Sequence, residues 1–349
     1  MPIYARRVFR LSVTTALSLA IAYGTGLPLP FLAPIFALML ASQPSPPLHL
    51  KGLIGLVVLV SITLGIGLMI IPLLTYYSSA GILIIALGLY FCGHLLVNLG
   101  KDLVGTFLAI GFTIIPAAGT VDISLAVAVI QALITGIGIA VLCQWVIYPW
   151  LPEDDNVTKT KKITNNSVRS NWIALRFTLI VLPPFMLSLV NPAMFLKLIM
   201  KSVVLGKQGS EVSAKDAGRE LLGSTFLGGF FAILFWLLLK INPTLIMFFS
   251  WMLIFGIYFS SKIYRVLETR YPPSFWLNVA VTMLILLGSA VQDSANGEDV
   301  YHQFTVRMGM FVLLTLYAWA AIYLLDLLYK NMKSRSSRIA QSMEISNAS

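Results

Sequence analysis

A chain of 349 residues that is 58% hydrophobic and 11% charged, with a mean hydropathy of +0.87, lies far from soluble proteins, in which about 25% of residues are charged. Apolar runs of about 18 residues or more recur from end to end, which describes a polytopic membrane protein and leaves no stretch for a sizeable soluble domain. The net charge of +10 is therefore read through membrane topology and not as a nucleic-acid footprint.

In chain order, the opening ARRVFRLSVTTALSLAIAYG has the arginines and apolar run of a signal peptide, but a second apolar segment follows at once. It is expected to be an uncleaved first helix. The apolar segments run over 8–25, 27–42, 52–74, 78–98, 103–118 and 122–149, then 171–190, 192–206, 221–241, 243–261, 275–291 and 303–329. Segments two and eight are short, and Pro28, Pro30 and Pro34 predict a broken or kinked second helix. Between segments six and seven lies the polar connector LPEDDNVTKTKKITNNSVRSN. Its Asn156 and Asn165 triplets have the form of glycosylation acceptors, but a cytoplasmic loop does not meet that machinery.

Basic residues divide sharply across this pattern. Nineteen fall on the side of the N-terminus, among them Arg6, Arg7, Arg10, Lys51, Lys101, Lys159, Lys161, Lys162, Lys207 and Arg219. One, Lys240, falls in the loops of the other side, and Arg176, Lys197, Lys201 and Arg307 lie within segments. The positive-inside rule then puts both termini in the cytoplasm.

The halves also resemble each other. LIIALGLYFCGHLL (83–96) aligns with WMLIFGIYFSSKIY (251–264), Arg10 with Arg176, and Gln43 falls near Gln208. Six helices per unit is an even number, so the units share one orientation as parallel repeats. The expected fold is all-α, with about twelve transmembrane helices. A first repeat covers 1–150, a cytoplasmic linker 151–170, a second repeat 171–330 and a cytoplasmic tail 331–349.

RVFRLSVTTALSLAIAYGTGLPLPFLAPIFALMLA, KDAGRELLGSTFLGGFFAIL (215–234) and SAVQDSANGEDVYHQFTVRMG (289–309) resemble the fusaric acid resistance and aromatic acid exporter superfamily. The chain looks like a compact branch without that superfamily's large cytoplasmic domain. The resemblance implies a multi-pass protein of the bacterial inner membrane that exports aromatic carboxylates or similar anions. It also implies a partner, a membrane fusion (periplasmic adaptor) protein of the haemolysin D type.

The residues single out a few candidates. Lys197 and Lys201, four apart, share one helix face, and a lysine near the bilayer centre costs roughly 2.5–3.5 kcal/mol. Arg307 enters the last segment and has the two-pronged geometry that suits a carboxylate, although a salt bridge to Asp293, Glu298 or Asp299 explains it equally. These three are the expected substrate contacts, a cationic site for an organic anion. Arg10 and Arg176 read as interfacial anchors. Without a Walker loop, proton antiport is the expected coupling, with His94, Asp293, Asp299, His302 and Asp326 as titrating candidates. Asp326, one turn from the end of its segment, calls for a basic partner.

No zinc pattern appears, and Cys92 and Cys143 read as small hydrophobes, so no metal, cofactor or catalytic residue is expected. The expected partners are a small organic anion, membrane lipid, the adaptor and a possible second copy of the chain, with no nucleic acid. The competing readings are a passive anion channel, a membrane enzyme or lipid-handling protein, and a structural subunit.

Overall fold

The computed structural model describes residues 2–42, 47, 49–98, 102–153, 167–211 and 214–348, and among these no strand occurs. Its α-helices are α1 (Ile3–Gly24), α2 (Leu32–Ala41), α3 (Leu50–Tyr76), α4 (Ser78–Asn98), α5 (Asp102–Gly119) and α6 (Ile123–Ile147). They continue as α7 (Ser167–Val190), α8 (Pro192–Glu211), α9 (Ala214–Ile241), α10 (Leu245–Ile263), α11 (Pro273–Ala295) and α12 (Val300–Ala348). Each apolar segment of the sequence coincides with one helix. Gln43, Lys101 and the connector residues Asn156, Lys159, Lys161, Lys162 and Asn165 lie outside the described residues.

Eight helices, α3, α4, α6, α7, α9, α10, α11 and α12, are long and apolar enough to cross a membrane, and the chain is a multi-pass membrane protein. The other four fall short for separate reasons. α2 has ten residues and reaches about 15 Å, half a hydrocarbon core of about 30 Å. The apolar part of α5 is Val104–Gly119, while α1 and α8 are diluted by arginine, lysine and hydroxyl side chains. α12 runs past the apolar segment to Ala348, so Asp326 stands well inside a helix and not near its end. Its expected basic partner is Lys330, one turn on, at 2.7 Å.

Burial sorts the helices. Every residue of α2 is buried, and α11 has 83% of its most apolar window inside the bundle. Helices apolar all round belong in an interior. By contrast α3 presents Ile54, Val58, Ile62 and Met69 outward, as a lipid-facing stripe would. α1 packs on α10 and α4 on α7, while α2 and α8 lie inside against α11. Two glycines permit close approaches onto α11. A Cβ at Gly228 would meet Thr282 Cβ at 2.6 Å, and one at Gly288 would collide with Phe31. These contacts bring α9 and the α2 entry onto α11.

The segment after α6 is tied back to α1 by charge. Arg10, 1% exposed, donates to Glu153 Oε2 at 2.7 Å, and Arg7 Nε donates to Oε1 of the same carboxylate at 2.6 Å. Arg10 is thus a buried ion-pair residue, not the interfacial anchor expected. Arg176 pins α7 to the end of α8 by donating to the Gly209 carbonyl at 3.0 Å. Burial pushes the Glu153 carboxyl up, but the hydrogen bonds from Arg7 and Arg10 outweigh it and hold the group below its ordinary value of 4.5.

Breaking a buried pair by removing one partner costs about 3–5 kcal/mol. Glu153→Leu is therefore expected to lower the thermal midpoint sharply, and Arg10→Leu added to it to recover part of the loss. A carboxylate with a depressed folded value stabilises above its unfolded value and loses that contribution as pH falls through the folded one. The wild-type midpoint should hold from neutral pH down to about 4.5 and drop below it, and the drop should be smaller in the double variant.

Candidate functional site

A cavity of about 310 Å³ opens where the first six helices meet the last six. Leu29, Phe31 and Leu32 reach it from the α2 entry, Ile114 from α5, and Leu125, Val129 and Leu133 from α6. The opposite wall is Leu196, Lys197 and Met200 of α8, Gln292 and Asp293 at the end of α11, and Arg307 of α12. Two of the three expected cations are therefore brought together. They come from helices 110 positions apart in sequence and meet because α8, α11 and α12 pack on one another.

Their partners differ. Arg307 grips Asp293 with both prongs, Nη2 to Oδ1 at 2.8 Å and Nη1 to Oδ2. The salt bridge weighed on the sequence is thus present, with Asp293 as the acid. Lys197, half-buried, donates to the neutral Gln292 Oε1 at 3.1 Å. With Asp293 and Glu298 also on the wall, two carboxylates face two cations, so the cavity carries no formal excess of positive charge. Its polarity is local: an ammonium held by a neutral amide, beside a guanidinium paired with a carboxylate.

Lys201 lies elsewhere. It is fully buried and donates to Asn278 Oδ1 at 3.0 Å and Thr282 Oγ1 at 2.6 Å, both on α11. Asn278 Nδ2 donates in turn to Gln208 Oε1 at 2.7 Å and Ser224 Oγ at 2.6 Å. The side chain one turn from Lys197 is thus locked into a polar seam between α8 and α11 and does not line the cavity.

The expected titrating groups scatter. Only Asp293 reaches the cavity. Asp299 caps α12, its Oδ1 accepting from the backbone N–H groups of Tyr301 at 3.0 Å and His302 at 3.3 Å. His302 is exposed beside it. Asp326 pairs with Lys330, and His94 sits on α4 with its ring 6.5 Å from that of Tyr90. The site residues missed on the sequence are Asn278 and Thr282, neutral side chains inside an apolar run, Gln292 just past its end, and Gln208, noted only as a repeat match. No three His, Cys, Asp or Glu side chains gather as a metal site requires among the described residues.

Residues 7–147 match the model of a family described as "Protein of unknown function (DUF2955)". That similarity covers α1 to α6 and stops before α8, α11 and α12, which supply the charged wall of the cavity. No curated protein and no solved structure matches the chain. The resemblance to the fusaric acid resistance and aromatic acid exporter superfamily rests on the quoted residues alone.

A buried ammonium without acceptors is far costlier than a half-buried one with access to water. Asn278→Leu should therefore lower the thermal midpoint much more than Gln292→Leu. Equal midpoints in the two variants would contradict the assignment of Lys201 to structure and Lys197 to an accessible site.

Proposed function

We propose that the protein is a secondary transporter of the bacterial inner membrane that exports organic anions, with aromatic carboxylic acids as the favoured class. The observation that carries this reading is the meeting of Lys197 and Arg307 on one cavity between the two sets of six helices. Its volume is at the lower end of ligand pockets, about 300–1,000 Å³, and suits a single-ring acid. The apolar wall of Phe31, Leu32, Leu196 and Met200 would hold the ring, and the two cations the carboxylate. Lys197 and Arg307 are the substrate contacts in this reading. Lys201 acts in the seam behind them.

The helix pairings support two parallel six-helix repeats. α1 meets α2 and α6 as α7 meets α8 and α12, and α3 meets α4 and α5 as α9 meets α10 and α11. Between the sets, α1 lies on α10 as α7 lies on α4. Cytoplasmic termini then follow from the basic residues, and the cavity faces the periplasm. Twelve membrane-embedded helices fit this scheme if α1, α2, α5 and α8 are counted with the eight full-length ones. An adaptor protein of the haemolysin D type is proposed as partner on the resemblance, together with lipid and a possible second copy.

Proton antiport fits this geometry less well than the sequence suggested. An anion arriving at Arg307 competes with the Asp293 carboxylate for the same guanidinium, so the one expected titrating group on this wall is engaged in the ion pair that the substrate must open. Lys197, Arg307 and Glu298 are the other charges around Asp293 on this wall. Export of a net negative charge is best driven by the membrane potential, which moves one such charge outward with about 2.3 kcal/mol per 100 mV. The closed seam at Lys201 favours a carrier over an open anion channel.

The test is efflux of 4-hydroxybenzoate from preloaded proteoliposomes under an imposed potential and, separately, a pH gradient. A charge-assisted hydrogen bond is worth about 1.5–3 kcal/mol, so Lys197→Gln and Arg307→Gln should each slow efflux about tenfold or more. Arg307→Lys should not restore it, because the two-pronged contact is lost. Efflux untouched by both substitutions would move the site elsewhere. Efflux driven by the pH gradient alone would reinstate proton antiport.

A further inference from the structure

A second cavity, of about 180 Å³, lies at the other end of α8 and is lined by Ser42, Lys207, Gln208, Ser274 and Asn278 among others. The same three chain segments border both cavities. The α2 segment gives Phe31 and Leu32 to the first and Ser42 to the second. α8 gives Lys197 to the first and Gln208 to the second, and α11 gives Asp293 and Asn278. Lys197 and Gln208 are eleven residues apart, or about 16 Å along the helix. Lys201 and its acceptors fill the space between them.

Donor and acceptor chemistry fixes which way this seam points. An ammonium can only donate, so the oxygen of Asn278 must face Lys201. The Asn278 amide nitrogen then faces away and donates to Gln208 Oε1 and Ser224 Oγ. Ser224 accepts that bond because its own proton goes to the Leu221 carbonyl. With its oxygen so engaged, Gln208 turns its Nε2 outward from the seam. That Nε2 is buried and has no acceptor among the described residues, on a side chain only 3% exposed that borders the second cavity. A buried N–H pair without an acceptor is costly and is tolerated where a ligand supplies one.

We propose that the second cavity is a carboxylate-binding site of its own, with Gln208 Nε2 donating to the anion and Lys207 contributing charge. It would be the entry from which an anion passes along the α8–α11 seam, with Lys201 as the barrier between the sites. The direction of travel and the aromatic class of the ligand rest on the exporter reading above. The site itself rests on the cavity and the oriented amide.

The test places a cysteine on the wall, Ser274→Cys, and follows its modification by a charged thiol reagent in phosphatidylcholine nanodiscs. The native Cys92 and Cys143 are buried, and the unsubstituted protein gives the background. Bound 4-hydroxybenzoate should slow labelling by the factor 1 + [L]/Kd, about threefold at twice Kd. Protection should vanish with Gln208→Met and with Val204→Phe, which fills the second cavity from its wall, each checked for an unchanged elution profile, and persist with Lys197→Gln. Absence of protection while efflux still depends on Lys197 and Arg307 would overturn the second site and leave the exporter reading standing. Protection without any efflux would uphold the site and remove the exporter reading. Protection by phosphatidylglycerol, with 4-hydroxybenzoate inert, would overturn the assignment in favour of a lipid headgroup.

Discussion

A lysine ammonium cannot be left bare in the middle of an apolar bundle, and much of this structure is arranged around that constraint at Lys201. The cost of burying one is large unless acceptors are already in place. Here Asn278 and Thr282 of α11 supply them, and that requirement sets the register of α8 against α11. A turn of α11 by one residue would bring Leu277 or Val279 to the charge in place of Asn278. The neighbouring close contact at Gly228 serves the same end, because it lets α9 bring Ser224 within 2.6 Å of Asn278. The polar seam thus organises three helices through directional bonds, where apolar packing alone would tolerate slippage.

The two charged clusters follow different logics. At Arg10 and Glu153 the charges are sealed and mutually satisfied, and the pair joins distant parts of the chain, 143 positions apart. At Lys197 and Arg307 the charges border open space: Lys197 holds a neutral amide, and Arg307, paired with Asp293, opens onto the cavity. An adjoining cavity, more than the presence of charge, sets the candidate site apart from the fastening.

How much of this was legible from sequence depends on the kind of residue. The twelve helices were visible because apolar runs and their polar breaks are set by composition. Lys197 and Arg307 stood out because a charge in an apolar run needs a reason. Lys201 stood out equally, yet its role did not, since nothing in the sequence tells a locked ammonium from an available one. Asn278 and Thr282 were silent and Gln208 gave only a repeat match, being neutral polar residues of the kind scattered through many membrane helices. Their meaning comes from a contact between α8 and α11 across about 70 positions of chain. Arg10 reads as an anchor in the sequence because Glu153, its partner, lies beyond five intervening helices.

The shortness of α2 has a further consequence. Ten buried residues leave about 15 Å of dense protein between the two cavities at this place in the bundle. Where water fills a cavity, the electrical potential hardly changes along it, so the voltage across a membrane falls mainly over the dense layer that remains. The bundle would then compress a field normally spread over about 30 Å into half that distance, roughly doubling its strength around Lys201. An ion crossing there would meet nearly the full voltage in one short step, and the neutral amides of the seam would be the dipoles that feel it most.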